Sequence, residues 1–242
     1  MLTKRNGELD SRVVNDGGRQ MMNKIISVLA ISTVLWLCGC ATTGYQRASQ
    51  TRSAMDEVQA VTGNIQHDLD AAVRALQTLT SQEATNLQPS YLAFTSAVTG
   101  LGGQVARFTH RSQAFRKRAD AYAAAWQEDL KAYRSADLRT LSAERRAEVV
   151  ESFRKLNSEL QVAEASLRTL LVSLNDMRRY LGTDLTAAGV TAGQEQAANI
   201  STQAGEVQEH LQLLSADLSR VATGLSPLRP AKEEPAQTSP SQ

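Results

Sequence analysis

Apolar residues recur along most of this chain at alternating steps of three and four positions, in four long stretches. The first reads Met55, Val58, Thr62, Ile65, Leu69, Ala72, Leu76, Leu79. The second reads Tyr91, Phe94, Val98, Leu101, Val105, Phe108, Ser112, Phe115, Ala119, Tyr122, Trp126, then Leu130 and Tyr133. The third reads Val149, Phe153, Leu156, Leu160, Ala163, Leu167, Leu170, Leu174, Met177, Leu181. The fourth reads Ala197, Ile200, Ala204, Val207, Leu211, Leu214, Leu218, Val221, Leu225. A mean step of about 3.5 residues keeps such side chains on one stripe of a helix and is the seam of left-handed coiled-coil packing.

The breaks between stretches carry turn and cap residues. Ser81 to Gln88 separates the first two, with Pro89 placed as a first helical residue. Ser135 to Leu141 separates the next two, with Ser142 as the expected N-cap. Gly182 to Val190 precedes the last, where Thr191 and Gln194 suit a capping box. Connections this short imply antiparallel neighbours. The expected fold is all-α: an elongated antiparallel four-helix bundle with coiled-coil-like packing over 47–225. Its helices are expected near 47–80, 89–134, 142–181 and 191–225. At 1.5 Å per residue they would be roughly 50 to 65 Å long. Low aromatic content (5%) and abundant Ala, Leu, Gln, Ser, Glu and Arg agree with helices.

Charge adds a pairing expectation. The second helix is basic, through Arg107, Arg111, Arg116, Lys117, Arg118, Lys131 and Arg134, and the fourth is acidic, through Glu195, Glu206, Glu209 and Asp217. These two are expected to lie side by side. Gly100, Gly102 and Gly103 interrupt the second helix, each costing up to about 1 kcal/mol against Ala. A tightly packed crossing is the expected reason, ahead of a kink or hinge. Ser226 to Gln242 holds four of the five prolines and is expected to be a disordered tail.

Upstream of the helices, Lys24 precedes an apolar run from Ile25 to Leu37, broken only by Ser27, Ser32 and Thr33. The run is short for a bilayer span, which needs about 20 apolar residues, and has the layout of a secretory signal. It ends in Leu37-Cys38-Gly39-Cys40, which resembles the lipobox of bacterial lipoprotein precursors. That resemblance implies a diacylglycerol on the Cys40 sulfur. It also implies recognition of Leu37, Cys38 and Gly39 by the signal peptidase, and cleavage before Cys40. The competing reading is a buried apolar helix with two incidental cysteines. The cysteine count favours the anchor: Cys38 leaves with the signal, Cys40 carries lipid, and no disulfide forms. Two or three acyl chains exceed the two-signal threshold for stable anchoring. Ala41, rather than Asp, after Cys40 favours the outer membrane on its periplasmic face over the inner membrane. Met21 or Met22 would open a conventional signal, so 1–20 is read as an upstream extension from a misassigned start, 21–39 as the signal peptide and 40–46 as a tether.

Pro89-Ser90-Tyr91, the Ala-rich Tyr122 to Trp126 segment, Tyr180-Leu181 and Asp184-Leu185-Thr186-Ala187-Ala188-Gly189-Val190 resemble an uncharacterised family of proteobacterial predicted lipoproteins with a helical domain of unknown function. The resemblance covers most of the chain after Cys40 and implies the same bundle, with no known activity. That family carries Pro where this chain has Ala187.

Candidate chemistry is sparse. His67, His110 and His210 stand on different helices, off the apolar seams, and no Glu lies three residues before a His. A di-iron bundle needs such Glu-x-x-His pairs, and Glu206 with His210 supplies only two ligands. Neither a metal nor any other cofactor is expected. There is no Gly-x-Ser-x-Gly elbow, and the Gly100 to Gly103 cluster lacks the Lys-Ser/Thr of a phosphate loop. The aromatic stripe Tyr91, Phe94, Phe108, Phe115, Tyr122, Trp126 lies on the seam and reads as core rather than as the lining of a ligand cavity. Removing the first 39 residues, with five basic and three acidic groups, turns the net charge from +1 to −1. That balance gives no electrostatic case for nucleic acid. Arg107, Arg111 and Arg118 share a face that suits anions, with a solvated, acid-paired surface as the plainer reading. The function expected is a non-enzymatic structural or interaction module, attached to a membrane through Cys40 and engaging an envelope protein or a second copy. The alternative is a bundle that binds lipids or anionic envelope polymers. An enzyme assembled from scattered polar residues ranks third.

Overall fold

The computed structural model describes residues 43–81 and 86–227. The lipobox, the signal, the upstream extension and all but the first two residues of the Pro-rich tail lie outside them. The chain divides into two units, Met1–Thr43 and Gly44–Gln242. All the described helices belong to the second.

They are α1 (Gly44–Thr80), α2 (Leu87–Asp129), α3 (Ala136–Thr183), the short α4 (Ala187–Ala192) and α5 (Gln194–Gly224), with a 3-10 turn at Leu130–Ala132. No strand occurs among the described residues. Helix α1 packs on α2 and α5, and α3 packs on the same two, so the four long helices close a ring. Cross-helix polar contacts give the directions. Glu57 of α1 meets Arg111 of α2, and Gln59 of α1 meets Ser219 near the end of α5. Asn157 of α3 meets Arg116, whereas Arg178, late in α3, meets Thr99 early in α2. Ser173 of α3 meets Gln203 of α5, and Lys155 meets Asp217. Each neighbouring pair is therefore antiparallel, as expected for short connections.

The seams form the core. Every seam residue named above for the first and third helices is buried, as is Phe94 through Tyr122 in the second. Phe115 packs edge-on to Phe153 at 6.0 Å, and Tyr122 stacks obliquely on Trp126 and Phe153. Such aromatic pairs add to the burial of their area. The stripe slips once: in α5 Leu218 is followed by buried Ala222, leaving Val221 and Leu225 half-buried.

The helix ends differ from the expected ones, and side-chain caps explain the starts of α2, α3 and α4. Helix α1 starts at Gly44, inside the expected tether 40–46. Asn86 caps α2, its side chain accepting from the Gln88 amide at 3.2 Å. This makes Leu87 the first helical residue and Pro89 the third, still in the turn where a missing N–H costs nothing. Ser135, not Ser142, caps α3 by accepting from the Leu138 amide. The Ser142 hydroxyl instead accepts the Trp126 indole N–H at 2.9 Å. Thr191 and Gln194 form no capping box. Thr186 caps α4, Thr191 lies within it, and Gln194 reaches back to the Thr80 carbonyl at the end of α1.

Two packing expectations are corrected. Basic α2 and acidic α5 are not neighbours; they occupy opposite corners of the ring. Up-down-up-down connectivity forces this, because each helix must pack beside the one preceding it in sequence. The glycines of α2 also mark no tight crossing. A Cβ at Gly102 or Gly103 meets no neighbouring atom within 4 Å, and at Gly100 it meets only the Asp68 carboxylate, at 3.9 Å. The helix runs through all three without a break. Gly189 is the opposite case: a Cβ there would sit 2.5 Å from the Asp184 carbonyl oxygen.

We expect Gly102→Ala and Gly103→Ala each to stabilise the fold by about 0.5–1 kcal/mol, since Ala loses less backbone entropy in a helix. Gly189→Ala should destabilise it. Denaturant unfolding of the three variants checks this, and loss of stability in the first two would mean that the glycines serve a hinge.

Candidate functional site

The sequence-derived positions fall in three places. Leu37, Cys38, Gly39 and Cys40 lie outside the described residues. Arg107, Arg111 and Arg118 do share one exposed side of α2. Arg107 bonds to Gln104 of its own helix, Arg111 pairs with Glu57 of α1 at 2.7 Å, and Arg118 makes no ion pair with another described residue. The acid that partners this face thus comes from α1, not from α5. His67 bonds to its neighbour Asp68, and among the described residues no three metal-ligating side chains come together. Phe94, Phe108 and Phe115 are fully buried, so the aromatic stripe is core.

Two polar clusters were not legible as such in the sequence. In the first, between α2 and α3, Arg116 Nε donates to Asn157 Oδ1 at 2.6 Å and Nη2 to Glu164 Oε1 at 2.9 Å. Glu164 is only 8% exposed. Arg116 lies off the face shared by Arg107, Arg111 and Arg118, and that displacement turns it toward α3. The second cluster joins α3 to α5. Asp217, also nearly buried, accepts from Lys155 Nζ at 2.8 Å and pairs with Arg220. Glu159 stands beside them, with Lys155 3.6 Å away and a buried Oε2 that has no hydrogen-bond partner. The Lys155 ammonium holds the Asp217 carboxyl below its ordinary value, against the effect of burial. Burial, together with the neighbouring Asp217 charge, pushes Glu159 up. A surface groove of about 180 Å³ opens here, lined by Arg145, Ser152, Lys155, Asp217 and Arg220. The one available signal was position: Glu164 and Asp217 each sit directly beside a seam residue.

A third constellation gathers most of the segments that carried the family resemblance. The Tyr91 hydroxyl donates to the Arg178 carbonyl and lies where a Cβ at Gly182 would be, 2.5 Å away. The Tyr180 hydroxyl donates to the Gly189 carbonyl at 2.9 Å, and Gly193 packs under the Tyr180 ring. Thr186 donates to Asp184 Oδ1 while accepting from the Gly189 amide. These contacts close the α3–α4–α5 corner over the start of α2. Beside the corner, Ser173, Asp176, Met177, Tyr180 and Gln196 line an open groove of about 350 Å³.

Residues 40–219 match the family described as "Protein of unknown function (DUF2959)". The chain belongs to the DUF2959 family. No curated protein and no solved structure matches it. The DUF2959 match opens on Cys40 and runs into α5, so it takes in both polar clusters and the corner. Family membership itself assigns no activity to any of them. In this DUF2959 chain each cluster ties two helices together, which is a structural role.

Two outcomes test that role. Glu164→Ala should cost about 1–2 kcal/mol by leaving the half-buried Arg116 guanidinium with Asn157 as its remaining partner, while Arg116→Met combined with Glu164→Leu should recover much of the loss. A double-mutant cycle measured by denaturant unfolding checks it. Glu159→Gln should stabilise the fold at neutral pH. The sign follows from linkage: a carboxyl raised in the folded state favours folding while protonated, and that contribution is lost as pH rises through its folded value. The gain from Gln should therefore vanish below the ordinary carboxylate range, where wild-type Glu159 is already neutral. Thermal melts of both proteins across pH 3 to 8 read the difference.

Proposed function

We propose that this protein is a lipoprotein of the bacterial cell envelope, held on the periplasmic face of the outer membrane by acylated Cys40. In this reading it acts without catalysis, as a structural or protein-interaction module. The observation that carries the proposal is Leu37-Cys38-Gly39-Cys40 at the end of a short apolar run, four residues before the first helix begins. The family match supports it by opening on the same cysteine. No helix among the described residues is long and apolar enough to cross a membrane.

The non-catalytic part draws on how the side chains are used. The large apolar and aromatic residues interlock along the seams, and the most buried charges bind helix to helix. What the bundle offers to its surroundings is therefore helix surface. A protein partner or a second copy can read such a surface through shape and charge.

Mass spectrometry of the protein extracted from membranes should find Cys40 as the first residue and bearing fatty acid. A Cys40→Ala form should lack the fatty acid and remain unprocessed. An unmodified Cys40 would end the anchoring proposal. Crosslinking in intact envelopes should capture a protein partner or a dimer; strictly monomeric behaviour with nothing captured would end the interaction proposal.

A further inference from the structure

The two ends of the bundle are built differently. At the corner end, α3, α4, α5 and the start of α2 close over one another through Tyr91, Tyr180 and Gly189. At the other end α5 stops short. Its last residues lie level with Arg52 of α1 and Arg145 of α3, through Arg52 to Ser226 and Arg145 to the Gly224 carbonyl. Helix α1 begins eight residues before Arg52, and α3 nine residues before Arg145. Both thus project past α5 by about 12 Å at 1.5 Å per residue. No described residue takes the place of α5 there.

The projecting end carries large apolar side chains in the open. Leu138 is 55% exposed, Leu141 64%, Tyr45 62% and Tyr133 39%. All residues from Lys131 to Leu141 are exposed. Leu138 and Leu141 are three apart on one face of α3. Arg134 and Arg139 stand beside them and make no ion pair with any described residue. Of the acids nearby, Glu128 pairs with Lys131, Asp129 pairs with Arg47, and Asp137 lies in the first turn of α3, where the helix dipole favours it. Glu144, one turn past Leu141 along α3, is exposed and makes no ion pair with a described residue. The end therefore combines leucine, tyrosine and unpaired arginine. Tyrosine favours the boundary between headgroups and acyl chains, and arginine favours anionic headgroups. Cys40 lies four residues before Gly44, a reach of at most about 14 Å even fully extended.

We infer that this end of the bundle seats directly on the bilayer surface. Leu138, Leu141, Tyr45 and Tyr133 enter the headgroup boundary, and Arg134 and Arg139 face anionic lipid. The inference rests on the reading of Cys40 as the acylated residue, and it makes the module a docked post rather than a body swinging on a tether.

The test uses the full lipidated protein in vesicles of phosphatidylethanolamine and phosphatidylglycerol carrying brominated acyl chains. Leu141→Trp is compared with Val172→Trp, an exposed site about 45 Å further along α3. Trp126 contributes the same background to both. Bromine should quench the Leu141→Trp protein at least roughly twofold more than the Val172→Trp protein, as a side chain at the acyl boundary would be. Adding Leu138→Glu should erase the difference while the protein still floats with the vesicles. Flotation with equal quenching at both sites would overturn the docked end and leave the anchor standing. A protein that neither floats nor shows quenching would overturn both. A concentration-dependent blue shift at 141 in detergent without vesicles would assign the end to a second copy, and a shift independent of concentration would assign it to the chain's own residues 228–242; either overturns the bilayer as occupant.

Discussion

Each long helix of this protein carries one apolar stripe and nothing else that can drive it to pack. A single stripe is satisfied only when other stripes face it, and four antiparallel helices in a ring are the smallest arrangement here that does so for all of them. Magnitude decides what matters. Burying one Leu stabilises by about 2 kcal/mol, and α3 alone buries six of them along its seam. An exposed ion pair contributes about 0–1 kcal/mol. Pairs such as Arg145–Glu148 and Arg154–Glu151, both within one helix and well exposed, follow the fold rather than direct it.

The same hierarchy explains where the charges sit. Had long-range charge attraction governed the arrangement, basic α2 would lie against acidic α5. Connectivity and the seams place them at opposite corners instead, and the charges find local partners: Glu57 for Arg111, Glu164 for Arg116, Lys155 and Arg220 for Asp217. The pairs that bridge helices beside the seam differ from surface pairs. They are partly dehydrated, so removing one member leaves the other stranded, and the arrangement discriminates against a shifted register more than it adds net stability.

How much of this is readable from the sequence follows from the range of each interaction. The 3.5-residue stripe is a property of consecutive residues, so the four long helices and most of their inward faces were visible, though not the slip to Ala222 in α5 or the exposure of Tyr133. Helix ends were not. Ser135 and Ser142 are equally good caps in isolation, and only the approach of Trp126 decides that Ser142 serves as an acceptor for the indole while the helix starts seven residues earlier. Thr191 and Gln194 have capping-box spacing, yet Gln194 finds the exposed carbonyl of Thr80 on another helix. The glycines of α2 misled for the same reason, because the space around a missing Cβ belongs to neighbours that are distant in sequence. Charges beside the seam were the intermediate case: Glu164 and Asp217 could have been flagged by position, but not their partners. The resemblance of Leu37-Cys38-Gly39-Cys40 to a lipobox lay at the other extreme, since it is a pattern of consecutive residues and depends on no fold.

The difference between the two ends bears on how such a body works. At the α3–α4–α5 corner polar groups freed by the chain reversal are met by Thr186 and Tyr180, Gln194 meets the last carbonyl of α1, and two glycines allow the approach, although Leu92 and part of the Tyr180 ring stay open to water there. The other end is not finished in that sense, because leucines in the first turns of α3 have no helix opposite them. A chain that can cap one terminus so thoroughly does not lack the means to cap the second. Exposed apolar residues rimmed by cations mark a surface that something else covers. In the docked reading proposed above, a single orientation satisfies both the lipid proposed for Cys40 and the leucines, and it leaves the long faces of α2 and α5, one basic and one acidic, on opposite sides of the ring for whatever the bundle meets.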